Sequence, residues 1–166
     1  MVTAVNTQPA PAPRRRPVEA VSFDVKALWN ITIARGRFDR VGGFYEVGLG
    51  GARLELTVDA RSIDTGDAER DEQLRSMAGA DMAEHPQVRF VSTSVRAAGG
   101  EKLHVLGTVE AAGKVVPVEF DATVRRVDGG LELDGSRKVD ERWLGKHGEL
   151  VPHATAHVTV RLGEAA

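Results

Sequence analysis

Apolar and polar side chains alternate one by one through most of this sequence. Val21, Phe23, Val25 and Ala27 are separated by Ser22, Asp24 and Lys26, and Leu54, Leu56 and Val58 by Glu55 and Thr57. The same period runs through Val118, Phe120, Ala122 and Val124, through Leu131 and Leu133, and from Ala154 through Ala156, Val158 and Val160 to Leu162. Successive side chains of a strand point to opposite faces, so this period predicts strands with one dry and one wet face, as in an antiparallel sheet solvated on one side. Gly42-Gly43, Gly50-Gly51, Gly99-Gly100, Ala112-Gly113 and Asp128-Gly129-Gly130 fall between the runs and are expected to form turns, where glycine supplies positive φ. Many short strands with glycine turns predict an all-β sandwich or barrel.

Residues 67–84 break the pattern. They are charged, lack alternation and are rich in helix formers, which predicts a helix over about 67–77 and a short helical turn ending before Pro86. Asp64 or Thr65 is expected to cap its start, Asp67 and Glu69 suit its positive end, and Leu74 and Met77 share a face. The helix is expected to cover one edge or mouth of the barrel.

Length and composition narrow the function. A chain of 166 residues fits one domain with a core of its own. The Pro/Ala stretch at residues 9–13 and the basic triplet Arg14, Arg15, Arg16 read as a disordered leader over 1–17, leaving 18–164 as the domain. A net charge of -2 with mixed signs argues against a nucleic-acid partner, which requires a concentrated basic face. There is no cysteine, hence no disulfide, thiolate nucleophile or Cys-based zinc site. No apolar run reaches the roughly 20 residues of a membrane-spanning helix. The basic triplet is followed by Pro17-Val18-Glu19 rather than an apolar core and cleavage site, so no signal peptide is read and a cytoplasmic protein is expected.

Ordered motifs in the middle of the chain carry a resemblance. Ser62-Ile63-Asp64-Thr65-Gly66, then Arg70-Asp71-Glu72 with Leu74-Arg75-Ser76, then Pro86 and Phe90 resemble the signature of the YceI-like family. Gly36-Arg37-Phe38 upstream, and Gly107-Thr108-Val109 through Gly113 to Pro117-Val118 downstream, are similar to further family features. The resemblance covers about residues 21–162. It implies an extended eight-stranded antiparallel lipocalin-like barrel whose lumen takes a polyisoprenoid, an isoprenoid quinone or a fatty-acid-like amphiphile. Many relatives are periplasmic and some pair as homodimers. This chain departs at Met77-Ala78-Gly79-Ala80, where relatives carry an acidic-aromatic segment, and at residues 14–20, where the family's opening motif is missing.

The dry faces are rich in Val, Ala and Leu and poor in aromatics, which favours open volume inside a barrel, although its own side chains can also fill it. Burying a dozen methylenes gains roughly 10 kcal/mol gross, enough for micromolar binding after ordering costs. The expected lining is Phe23, Val25, Phe38, Leu54, Leu56, Met77, Met82, Phe90, Val118, Phe120 and Trp143, with core packing as the competing role for each and one bulge sufficient to reverse a face. Catalytic chemistry finds less support. His153 and His157 with His147 have metal-like spacing, but alternation puts His157 on the wet face. His85 and His104 show no obvious partner. Asp64, Arg70, Asp71 and Arg75 suit a capped, salt-bridged helix, and Ser62 and Ser76 have no adjacent base. The reading is a non-catalytic binder of a long apolar molecule, with no cofactor and no metal. A cyclase- or isomerase-type enzyme using the cavity is the alternative.

Overall fold

The computed structural model describes residues 12–26, 32–77, 84–139 and 154–165. Strands run β1 (Arg14–Lys26), β2 (Thr32–Phe38), β3 (Val41–Gly48), β4 (Gly51–Asp59) and β5 (Ile63–Asp64), followed by helix α1 (Ala68–Met77). The chain continues through β6 (Gln87–Ala97), β7 (Lys102–Ala111), β8 (Lys114–Val127), β9 (Gly130–Val139) and β10 (Ala154–Leu162). All neighbours pair antiparallel, and β10 bonds to both β9 and β1, so the sheet closes on itself. Strands β2 and β3 form one bent stave, because β1 pairs with β3 through Pro17↔Phe44 and with β2 through Val21↔Phe38. A 3-10 turn at Ala60–Ser62 carries β4 into β5, which pairs with β2. The ten segments thus make an eight-stranded closed barrel: of the sandwich and barrel that alternation allowed it is the barrel, with the strand number that the resemblance implied.

The alternating apolar residues face inward. Val21, Leu54, Phe90, Val105, Ala122, Leu133, Val160 and Leu162 form the buried core. Three register shifts interrupt the ladders of the described strands: one in β1 between Val18 and Ala20, one in the β1–β2 pair at Val25/Lys26, and a second strand bulge between Ser92 and Ser94. The first puts both Val18 and Val21 inside although they are three residues apart. At the last, the Ser92 hydroxyl accepts the Leu54 amide at 2.9 Å, where the β4–β6 ladder stops.

Three expectations are corrected. Gly42 and Gly43 are not a turn but lie within β3, opposite Thr57 and Leu56. At Gly43, with φ +114°, a Cβ would fall 2.0 Å from the Glu55 carbonyl oxygen, so glycine there permits close approach of two strands. Residues 14–17, assigned to the leader, open β1: Arg15 Nε donates to Glu46 at 2.7 Å and its guanidinium stacks on Phe44. The helix spans Ala68–Met77, but its cap is Asp67, whose Oδ1 accepts the Glu69 and Arg70 amides. Asp64 and Thr65 are otherwise engaged: Asp64 Oδ1 takes the Gly66 amide, and Thr65 donates its amide and hydroxyl to Asp71 at 2.9 and 2.6 Å.

Candidate functional site: an apolar cup

The register gives the barrel two unlike ends. One carries the β3–β4, β6–β7 and β8–β9 turns, the start of β1 and the end of β10. There the Gly163 amide bonds to the Pro17 carbonyl at 2.9 Å and Arg16 caps the Gly163 carbonyl at 3.0 Å. The other carries the β1–β2, β7–β8 and β9–β10 connections and the crossover through α1. Burial along single strands shows which end is open. On β10, Leu162, Val160 and Val158 are 0%, 3% and 38% exposed; on β8, Ala122 is 5% exposed and Val116 51%. Among the described residues, these two strands outline a cup, deepest toward the first end and opening toward the second.

Within the cup lies an apolar cavity of about 50 Å³, lined among others by Tyr45, Leu54, Leu56, Val105, Phe120 and Val158. A separate open cleft of about 490 Å³ runs along the outside of the closed end, beside Gly48, Leu49, Arg53, Ser92 and Thr93. Its wall mixes polar groups such as Glu46 and Arg53 with apolar ones such as Pro13 and Leu49, and it shares no lining residue with the lumen cavity.

Of the phenylalanines facing the lumen, three each lie over a glycine of the neighbouring strand. A Cβ on Gly36 would meet the Phe23 ring at 2.9 Å, one on Gly107 the Phe90 ring at 2.5 Å, and one on Gly135 the Phe120 ring at 3.2 Å. The missing side chains leave seats for rings, the aromatic-over-glycine device of curved sheets. Phe90 and Phe120 meet at 5.5 Å between centroids and Phe23 and Phe38 at 5.4 Å, both tilted, as ring quadrupoles favour.

Of the expected lining, Leu54, Leu56 and Phe120 border the cavity. Phe90, Phe38 and Val118 pack into the surrounding core, Val25 is buried, and Phe23 leans on Phe38. Met77 ends α1; its side chain, Met82 and Trp143 lie outside the described residues, as do His147 and His153. Sequence reasoning missed Tyr45, Leu103 and Val105. The last two alternate in Leu103-His104-Val105 and were legible; Tyr45 was hidden because Gly42-Gly43 was taken to end its strand. Burial raises the phenol pKa of Tyr45 above the ordinary 10.0, so it stays protonated. Arg137 was also missed. Alternation with Leu133 and Gly135 puts it on the lumen face near the mouth, opposite Ala156.

Several described polar groups outside the lumen are engaged in hydrogen bonds and ion pairs. Asp59 is desolvated, which raises its carboxyl pKa, but hydrogen bonds from Arg61 and Arg40 outweigh this and hold it below the usual range. Of the residues considered for acid–base work, Asp71 anchors Thr65, Asp64 in β5 pairs with Arg37 at 3.2 Å, and Arg75 donates to the Arg61 carbonyl. His104, expected to lack partners, has two: Nδ1 lies 2.8 Å from Asp121 and Nε2 2.6 Å from Glu119, on the outer face. These carboxylates, Asp121 first, raise its pKa. No cluster of three or more metal-ligating side chains occurs among the described residues. Nor is any helix among them long and apolar enough to cross a membrane.

Comparison with known proteins agrees with this architecture. A protein named YceI from Salmonella arizonae is 36% identical over 85 residues, covering 51% of this chain and 44% of that protein. A UPF0312 protein of Pectobacterium carotovorum is 35% identical over 85 residues, 51% of this chain and 44% of that protein. The chain thus matches less than half the length of these curated relatives. Among solved structures, BcnA of Burkholderia cenocepacia superposes with a TM-score of 0.67 at 21% identity, covering 86% of this chain and 96% of that one. A polyisoprenoid binding domain from Saccharophagus degradans, implicated in plant cell wall breakdown, gives 0.60 at 14% identity, covering 91% and 98%. Likeness at such identities shows a shared fold. The YceI-like domain profile matches residues 17–162, and with that match the chain belongs to the YceI-like family.

Proposed function

We propose that this protein binds a long apolar molecule, an isoprenoid-like or fatty-acyl-like chain, with its tail down the cup and its polar end at the mouth. The observation that carries the reading is the apolar lumen face: along β8 and β10 it runs from the buried Ala122 and Leu162 to Val116 and Val158, and exposure on these two strands rises toward the mouth. Such a surface recognises methylenes, each worth roughly 0.8 kcal/mol when buried. The polyisoprenoid binding named for the Saccharophagus degradans domain supports the same reading.

The cavity of about 50 Å³ is roughly a third of the ~150 Å³ that takes a benzene-sized molecule. Only the tip of a tail fits there without movement; the rest occupies the upper lumen beside Val109, Val116 and Val118. Tyr45 is the single polar side chain among the described residues that line the cavity, and none of those residues is an acid or a base. Binding without catalysis is therefore the better-supported role.

The test is native mass spectrometry with organic extraction of protein purified from its own host. A co-purifying molecule with a long apolar tail is the expected result. Protein free of such a molecule that also fails to take up added isoprenols and fatty acids would overturn the proposal.

A further inference from the structure

We infer that Phe120, seated over Gly135, is the depth stop that sets how long a tail the cup accepts; the inference rests on the binding role proposed above. The lumen changes character at this ring. Toward the mouth on the same strand stand Val118 and the half-exposed Val116; toward the closed end stands the buried Ala122, with the buried Val105 opposite Phe120 itself. Phe120 borders the small cavity and rests on Phe90, whose own ring fills the space left by Gly107. Phe90 and Phe120 come from the two strands flanking β7, so together they form a partition across that side of the lumen.

The two rings are not held alike. A Cβ on Gly107 would collide with Phe90 at 2.5 Å and with the Val91 carbonyl oxygen at 2.5 Å, so the Phe90 ring lies close against β7, and it is buried. Around Gly135 the contacts are looser: a Cβ would meet Phe120 at 3.2 Å and the Val158 carbonyl at 3.8 Å. Phe120 also has the cavity beside it. It is the ring that a tail arriving from the mouth meets and the one with space to yield. Its position over Gly135 therefore determines how many methylenes are buried before the chain must protrude.

The experiment measures affinity for straight-chain alcohols of about eight to eighteen carbons by displacement of fluorescent cis-parinaric acid. Each methylene that enters the cup strengthens binding roughly fourfold, until the cup is full and affinity levels off. In Phe120→Leu the plateau is expected one or two carbons later than in the wild type. In Gly135→Ala the added methyl tilts the ring into the lumen, and the plateau comes earlier. Thr123→Ala, on the outer face of β8, is expected to leave it unchanged. If the wild type binds the series and the plateau is the same in Phe120→Leu and Gly135→Ala, Phe120 is not the stop. If the wild type binds no member of the series, the binding role itself falls, and the stop with it.

Discussion

Ala112 is the one residue other than glycine with positive φ among those described, at +51°, followed by Gly113 at +75°. Two consecutive left-handed residues joining paired strands make the type I′ hairpin turn, whose twist matches the sheet. An L-residue with a Cβ is penalised there, whereas asparagine tolerates that region. Ala112→Asn is expected to stabilise the protein by about 0.5–1 kcal/mol, seen as a rise in Tm of roughly 2–4 °C per kcal/mol. Gly107→Ala has the opposite sign. The methyl group overpacks against Phe90, and a loss of about 1–3 kcal/mol is expected in urea denaturation. Ala112-Gly113 was legible as a turn because glycine sits between alternating runs. Gly42-Gly43 looked the same in sequence and was misread, since nothing local tells a glycine that bends a strand from one that ends it.

At the scale of elements, α1 shows how much a helix can owe to polar anchoring. Its Ala-Glu-Arg-Asp-Glu-Gln composition offers little apolar surface, and it is held by Asp67 at its start, Asp71 on Thr65 and Arg75 on the Arg61 carbonyl. Thr65 lowers the pKa of Asp71. Removing the carboxylate in Asp71→Ala should speed amide hydrogen exchange across residues 63–72 while the barrel strands stay protected. The β7–β8 pair carries the pH response. His104 lies between Asp121 and Glu119, with Arg96 opposite on β6. Because its folded pKa is raised above 6.5, its stabilising contribution is complete below that value and fades as pH rises through the folded pKa. A plot of Tm against pH should lose this acid-side gain in His104→Gln. An unchanged profile would assign the gain to other groups.

For the whole molecule, closure is the decisive event. Pairing of β1 with β10 closes the two-faced sheet on itself, and burial is deep beside that seam, at Val21, Val160 and Leu162. Leu133→Ala, in that region, should cost about 2–5 kcal/mol. At the other end, Arg137 is exposed and stands on the lumen face close to the proposed position of the ligand's polar end. Arg137→Ala is expected to weaken fatty-acid binding two- to fivefold at low salt and to leave fatty-alcohol binding alone, since a rim charge contributes under about 1 kcal/mol and is screened. Titration of both probes at two ionic strengths checks this.

The sequence by itself determined the strand class, the position of α1, most of the turns and the inward set, including Leu54, Leu56 and Phe120, because period-two alternation and glycine placement are local properties of the chain. It could not decide that residues 14–17 join the sheet, that Tyr45 enters the lumen, or that His104 meets two carboxylates. Each of these depends on register between segments distant in the chain. The size of the cavity was likewise beyond composition. Small lining residues suggested open space, but the phenylalanines seated over Gly36, Gly107 and Gly135 fill much of it. Whether a glycine leaves a void or a seat depends on which ring the neighbouring strand sets opposite it, and only the closed barrel fixes that.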